Sequence, residues 1–271
     1  MSTKKLFNST KNETQLFDQL KQSFSTDGAL FFAGRLLENA YKRFPNKPAL
    51  ITTKKTLTYR EFYFRALLLS KHFAQYNVKP RDRVILFYEN SIEFFIAYFA
   101  IWQLGAVVVP VNTFLHEREL THIIKDAAPT LIFTSPTLKP KLDALILGQH
   151  LAALPPVLSN EAIDWQTKTP ECIEDAFPDF EITNVAPDEL CALLYTSGTT
   201  GVPKGVMLSS NNIMTNVLQG YARFAANGMT LDERFFCVLP LFHVFAQNVC
   251  LWLPILIGSS VIIVSKIDRS L

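Results

Sequence analysis

Two stretches without a formal charge constrain this chain more than any other feature. Phe94 to Leu115 runs for 22 residues, and Phe235 to Ser265 for 31. Either the chain carries them across a bilayer or it must bury both, since length alone admits a membrane span. Their interiors favour burial in a protein core. Gly105 and Pro110 break the first, while Pro240, His243, Gln247, Asn248 and Pro254 interrupt the second. Each run also divides the same way, into an apolar helix and then a β-branched strand: FFIAYFAIWQL before AVVVPV, and HVFAQNVCLWLPILI before SVIIVS. Strands of a parallel sheet covered on both faces are continuous Val/Ile runs, and their covering helices can be nearly as apolar. A membrane protein is the competing reading, discriminated by whether the chain stays soluble without detergent.

Between the two runs the pattern keeps alternating. Thr58 with Glu61 three residues on forms a capping-box signature for a helix to about Tyr76. RVILFY (83–88) predicts a strand, and a helix starts near Ser91. AVVVPV (106–111), a helix over 117–126 and TLIFT (130–134) follow, and then a polar, proline-containing region over 135–188. LCALLYT (190–196) predicts a strand, Ser209 or Ser210 the cap of a further helix, and FFCVL (235–239) and SVIIVS (260–265) the last strands. Strands separated by helices imply βαβ units, so the expected fold is α/β, with mostly parallel sheets flanked by helices. The expected organisation is a mobile leader over 1–27, a first α/β subdomain over 28–227, and the start of a second over 228–271, its sheet begun only by residues 234–265. A strand so close to Leu271 suggests an architecture cut short.

Composition removes other classes. Lys plus Arg number 26 and Asp plus Glu 24, with 49% hydrophobic residues, so the chain is neither disordered nor an electrostatic nucleic-acid binder. The four cysteines, Cys172, Cys191, Cys237 and Cys250, show no C-x-x-C and no histidine at metal spacing. This argues against a disulfide scaffold or structural zinc and for a reducing, cytoplasmic compartment. His72, His116, His122 and His150 read as surface residues.

Of only 10 glycines, Gly198, Gly201 and Gly205 fall in one segment, Thr196-Ser197-Gly198-Thr199-Thr200-Gly201-Val202-Pro203-Lys204-Gly205, directly after a predicted strand. Ligands of open α/β sheets sit beyond the carboxyl ends of strands. Glycines let backbone N–H groups approach a bulky anion, hydroxyls add rotatable donors, and Lys204 adds a mobile positive charge. The composition is that of a phosphate loop. Walker A spacing, G-x-G-x-x-G and the G-x-S-x-G elbow are all missing, so Ser197 is not read as a nucleophile.

This string resembles the signature loop of the adenylate-forming superfamily, which includes acyl-CoA synthetases, luciferases and peptide-synthetase adenylation domains. All nine specified positions of T-S-G-T-T-G-x-P-K-G are met, a chance on the order of 10⁻¹¹ per start position. LTYREF (57–62), RVILFYENSIEFFIAYFAIWQLGAVVVPVN (83–112) and PLFHVF (240–245) stand in family order; Ser210 departs from the histidine many members carry. The resemblance implies the first half of the family's large amino-terminal domain. It also implies a reaction in which ATP activates a carboxylic acid to an acyl-adenylate, with magnesium bridging the phosphates, before coenzyme A takes the acyl group. Thr196, Ser197, Gly198, Thr199, Thr200, Gly201 and Lys204 would bind ATP and its pyrophosphate, with Lys204 in the catalytic role. Phe242, His243 and Phe245 would border the acyl pocket.

From the residues alone, His243 reads equally as a helix-start histidine satisfied by backbone, and the phenylalanines as core. In the resembled family, adenylation domains for amino acids place an Asp around this segment to hold the substrate ammonium. PLFHVF carries no acid, so the resemblance implies an apolar-tailed acid, a fatty acid, and with it peripheral membrane contact through a lipid substrate. The family's later Tyr-Gly-x-Thr-Glu motif, ribose-binding Asp and adenylating lysine do not occur within the 271 residues, so little turnover is expected from this chain alone. The alternative is a non-catalytic nucleotide- or partner-binding relic of the same fold.

Overall fold

The computed structural model describes residues 33–162, 181–196, 202–230 and 232–264. In chain order, α1 (Leu36–Arg43) leads to β1 (Pro48–Ile51) and β2 (Thr56–Thr58), then α2 (Tyr59–Gln75), β3 (Arg83–Phe87), α3 (Ile92–Gln103) and β4 (Val107–Pro110). Next come α4 (Glu117–Ala127), β5 (Leu131–Thr134), α5 (Lys139–Leu147), β6 (Val157–Ser159), β7 (Leu190–Thr196), β8 (Lys204–Ser209) and α6 (Ser210–Ala226). The described chain closes with β9 (Arg234–Cys237), a composite helix α7 (244–257) and β10 (Ser260–Ile263).

Two sheets result. The larger has six strands in the order β6-β5-β3-β4-β7-β8, parallel except for the β7–β8 hairpin. The smaller has the order β2-β1-β10-β9, with β1, β10 and β9 parallel and β2 antiparallel at the edge. Its membership corrects the sequence reading, because β1 and β2 join it from early in the chain and residues 234–265 do not begin it alone. Segments of four and three residues are too short to show a period, which is why PALI and TLT passed unnoticed. The polar, proline-containing region over 135–188, for which no element was expected, contributes α5 and β6.

The uncharged runs are explained by where they lie. Eleven of the twelve α3 residues are buried, all but Glu93, so this helix is covered all round. Its Trp102 stacks on Trp252 of α7, with centroids 6.3 Å apart, and donates its indole N–H to the Cys191 carbonyl at 2.9 Å. Those contacts tie the two sheets into one core. β3 alternates between cores: Val84 and Leu86 face that large cluster, while Ile85 and Phe87 face a second one with Leu120, Ile123 and Leu142 from α4 and α5. No helix among the described residues is long and apolar enough to cross a membrane.

The helix starts follow the capping signals. Thr58 caps α2, its hydroxyl accepting the Glu61 N–H at 3.2 Å while the Glu61 carboxylate accepts the Thr58 N–H at 2.8 Å. Ser91 caps α3 and Ser209 caps α6. The helix expected over 243–257 is less regular than its sequence suggests. α7 comprises Val244–Ala246 in α form, Gln247–Trp252 in π form and Leu253–Ile257 in α form again. Gly258 ends it at φ +75°.

Candidate functional site

Tyr195 and Thr196 end β7, and Lys204 and Gly205 start β8, in antiparallel register: Thr196 faces Lys204 and Tyr195 faces Gly205. The segment expected to be loop throughout 196–205 is therefore strand at both ends. Ser197, Gly198, Thr199, Thr200 and Gly201 lie outside the described residues. Glycine at 205 has a steric reason, since a β-carbon there would lie 2.9 Å from the Leu193 side chain and 3.3 Å from the Tyr195 ring.

One helix brackets the hairpin. The Tyr195 hydroxyl donates to the Asp126 carboxylate at 2.5 Å, and the His122 ring Nε2 meets the Pro203 carbonyl at 3.0 Å. His122 and Asp126 are four residues apart, hence on the same face of α4. Burial, then the Asp126 carboxylate, push the Tyr195 phenol well above its ordinary range, so it stays a donor at neutral pH. His122 is half-buried, not the surface residue expected. His72 is half-buried as well and meets the Leu68 carbonyl at 2.9 Å. His116 and His150 are exposed, the latter 3.0 Å from the Glu117 carboxylate.

Beside the hairpin lies a cavity of about 340 Å³, lined by Pro110 at the end of β4, Asn112 beyond it, Leu115, Glu119 and Ile123, Tyr195, Thr196 and Pro203, and Phe242 with His243. It opens at the carboxyl ends of β4 and β7, the expected address for a ligand in an open α/β sheet. A volume of this order suits a small-molecule site. The structure thus brings Thr196, Phe242 and His243 together from segments more than 40 residues apart in sequence. The Phe242 and His243 rings lie 4.4 Å apart, and Phe114 meets Phe242 edge-on at 6.2 Å. Phe245 is not among the lining residues and is 63% exposed, so the cavity takes two of the three aromatic side chains expected there. Lys204 is exposed and does not line it either.

Three polar residues at or around the site were not tied to it by the sequence. Glu119, half-buried, brings a carboxylate to the lining and accepts the His116 N–H at 3.1 Å. His122 and Asp126 pin the hairpin, and only their i, i+4 spacing on a predicted helix hints at it. Among the described residues no group of three or more His, Cys, Asp or Glu could hold a metal ion. Cys191, Cys237 and Cys250 are free, buried thiols.

The α/β sheet, the T-S-G-T-T-G-x-P-K-G segment at the end of β7 and the cavity at the strand ends agree with the adenylate-forming class. The chain belongs to the AMP-binding enzyme family, whose model matches residues 37–271. It is 30% identical over 237 residues to a 4-coumarate-CoA ligase of Narcissus pseudonarcissus, covering 83% of this chain and 42% of that protein. A 4-coumarate-CoA ligase of Oryza sativa subsp. japonica is also 30% identical, over 247 residues, with the same shares covered. The chain thus spans about two fifths of the length of the curated relatives it matches. Solved structures share the fold. An anthranilate CoA ligase in complex with anthranoyl-AMP superposes with a TM-score of 0.74 at 24% identity, over 88% of this chain and 46% of that one. A long-chain-fatty-acid-CoA ligase from Archaeoglobus fulgidus gives 0.73 at 21%, over 88% and 47%.

Proposed function

We propose that this chain carries the pyrophosphate side and one acyl-side wall of an acid-activating site. In that site ATP and a carboxylic acid give an acyl-adenylate, and coenzyme A then accepts the acyl group. The observation that carries the reading is the junction of two segments: Thr196 and Pro203, near the two ends of the T-S-G-T-T-G-x-P-K-G segment, line the same cavity as Phe242 and His243. As the carboxylate attacks the α-phosphorus, pyrophosphate departs with the developing charge. Hairpin N–H groups, the hydroxyls of Thr196, Ser197, Thr199 and Thr200, and the Lys204 ammonium are the donors that would meet it, each such bond contributing about 2.7–4 kcal/mol to the transition state. The exposed Lys204 side chain, at the hairpin's exit, is free to follow the leaving group. Magnesium, bound with the nucleotide's own phosphates, would offset their negative charge.

Leu115, Ile123 and Phe242 give the cavity an apolar body, which supports an apolar-tailed acid, and we take a fatty acid as the first candidate. An aryl acid is the second reading, favoured by the two 4-coumarate-CoA ligases at 30% identity. The experiment is pyrophosphate and acid binding to the 271-residue chain by calorimetry, alongside ATP–pyrophosphate exchange with paired alkyl and aryl acids. Pyrophosphate binding that Lys204→Ala weakens, acid binding that His243→Ala weakens, and exchange near background for the chain alone are expected. Binding indifferent to both substitutions would refute the site.

A further inference from the structure

The cavity wall that carries His243 belongs to the second sheet, yet it is held by a residue of the first. Asn90 stands three residues beyond β3 and directly before Ser91, the cap of α3, so its backbone is fixed on both sides. Its side-chain N–H donates to the Leu239 carbonyl at 2.8 Å, and its carbonyl oxygen accepts the Leu241 N–H at 2.8 Å. These two groups flank Pro240, which has no N–H of its own and whose carbonyl accepts the His243 N–H at 3.1 Å. One amide therefore satisfies residues i and i+2 of the segment, as a neighbouring strand would. The opposed donor and acceptor also fix which end of the amide is which. The same N–H side faces the Cys237 thiol at 3.7 Å, at the end of β9. The stretch from Cys237 to His243 thus leaves the second sheet, is caught by Asn90, turns at Pro240, and delivers Phe242 and His243 to the cavity.

We propose that Asn90 is a positioning residue for His243, setting the imidazole against the acid-binding cavity through its two bonds to residues 239 and 241. The inference rests on the proposed role of His243 in that cavity. Its failure is separable, because His243→Ala tests the role and substitutions at Asn90 test the placement. A displacement of about 1 Å at a reacting centre can cost a factor of roughly a hundred in rate, so such a clamp is worth having.

The test is amide hydrogen exchange at Leu241, read with the His243 ring resonances, in the 271-residue chain and two variants. Asn90→Ala removes both bonds, whereas Asn90→Asp keeps the acceptor for Leu241 and loses the donor to Leu239. Expected for Asn90→Ala is exchange at Leu241 faster by about tenfold or more, the loss of one hydrogen bond. The His243 ring signals should shift and narrow, with protection of Val84 and Val108 in the large sheet unchanged. Asn90→Asp should restore most of the Leu241 protection and leave His243 between the two. Should Asn90→Ala fail to fold, Asn90→Asp decides alone, by a shifted His243 over an unchanged core. Unchanged exchange at Leu241 in Asn90→Ala would overturn the clamp. Unmoved His243 signals despite lost protection would overturn its role in placement, and an equal loss of protection throughout the core would make Asn90 merely structural.

Discussion

Single residues here carry two kinds of constraint, steric and electrostatic. Gly258 ends α7 at φ +75°, and a β-carbon there would lie 2.2 Å from the Phe44 ring. Gly258→Ala therefore combines a left-handed backbone with an overlap against an aromatic side chain, and should destabilise by about 2–4 kcal/mol in a denaturant titration. Cys191 is electrostatic in kind: burial pushes its thiol up to about 12. It should resist iodoacetamide at pH 8 in the native protein and react once the chain is unfolded; rapid native alkylation would show that β7 opens readily. Lys204, exposed on β8, makes the opposite prediction. Lys204→Ala should leave stability within about 0.5 kcal/mol of the parent, as for surface substitutions generally, and lower pyrophosphate affinity by about tenfold or more, the cost of a charge-assisted hydrogen bond.

At the scale of elements, side chains that terminate helices were easier to read than those that join sheets. Thr58, Ser91 and Ser209 act within three residues of themselves, so local spacing marked Thr58 as a cap, placed a helix start near Ser91 and narrowed the next cap to Ser209 or Ser210. Thr58→Ala should cost about 1 kcal/mol by denaturant titration, through α2 alone. The long Val/Ile runs were legible for a similar reason, since full burial on both faces leaves no polar residue to confuse the pattern. What stayed hidden depends on partners distant in sequence. β1 is four residues that pair with the three-residue β2 on one side and, on the other, with β10, over 200 positions away. The π segment over Gln247–Trp252 fits Trp252 onto Trp102 and lets the Tyr98 hydroxyl donate to the Gln247 side-chain oxygen Oε1 at 2.9 Å, neither of which a helical period announces. At the site, the hairpin and Phe242–His243 were visible as motifs. His122, Asp126, Glu119 and Asn90 were not, because each acts on a backbone or side-chain group brought to it by the fold.

The described residues form two sheets sharing one aromatic core, and the response to pH follows from what that core buries. Burial pushes the Tyr59, Tyr98 and Cys191 side chains up, and Tyr63 and Tyr88 in the same direction, with nearby carboxylates adding to the last two. The folded chain thus keeps protons that the unfolded chain gives up above its ordinary thiol and phenol values. Stability is then fully present below about pH 8.5 and falls as pH rises through about 9–12, since the native state binds more protons there. Circular dichroism across that range should show an alkaline unfolding transition coinciding with tyrosine ionisation; tyrosines titrating freely near pH 10 in a folded chain would contradict the buried core. The central claim is that the hairpin and the wall bearing His243 form one nucleotide-dependent site. Its most direct measurement is the amide spectrum of the 271-residue chain titrated with inorganic pyrophosphate. The account predicts saturable shifts centred on Thr196, Lys204 and Gly205 that spread across the cavity to Phe242 and His243 and weaken in Lys204→Ala. Shifts absent from the hairpin, or confined to lysines elsewhere on the surface and indifferent to Lys204, would contradict it.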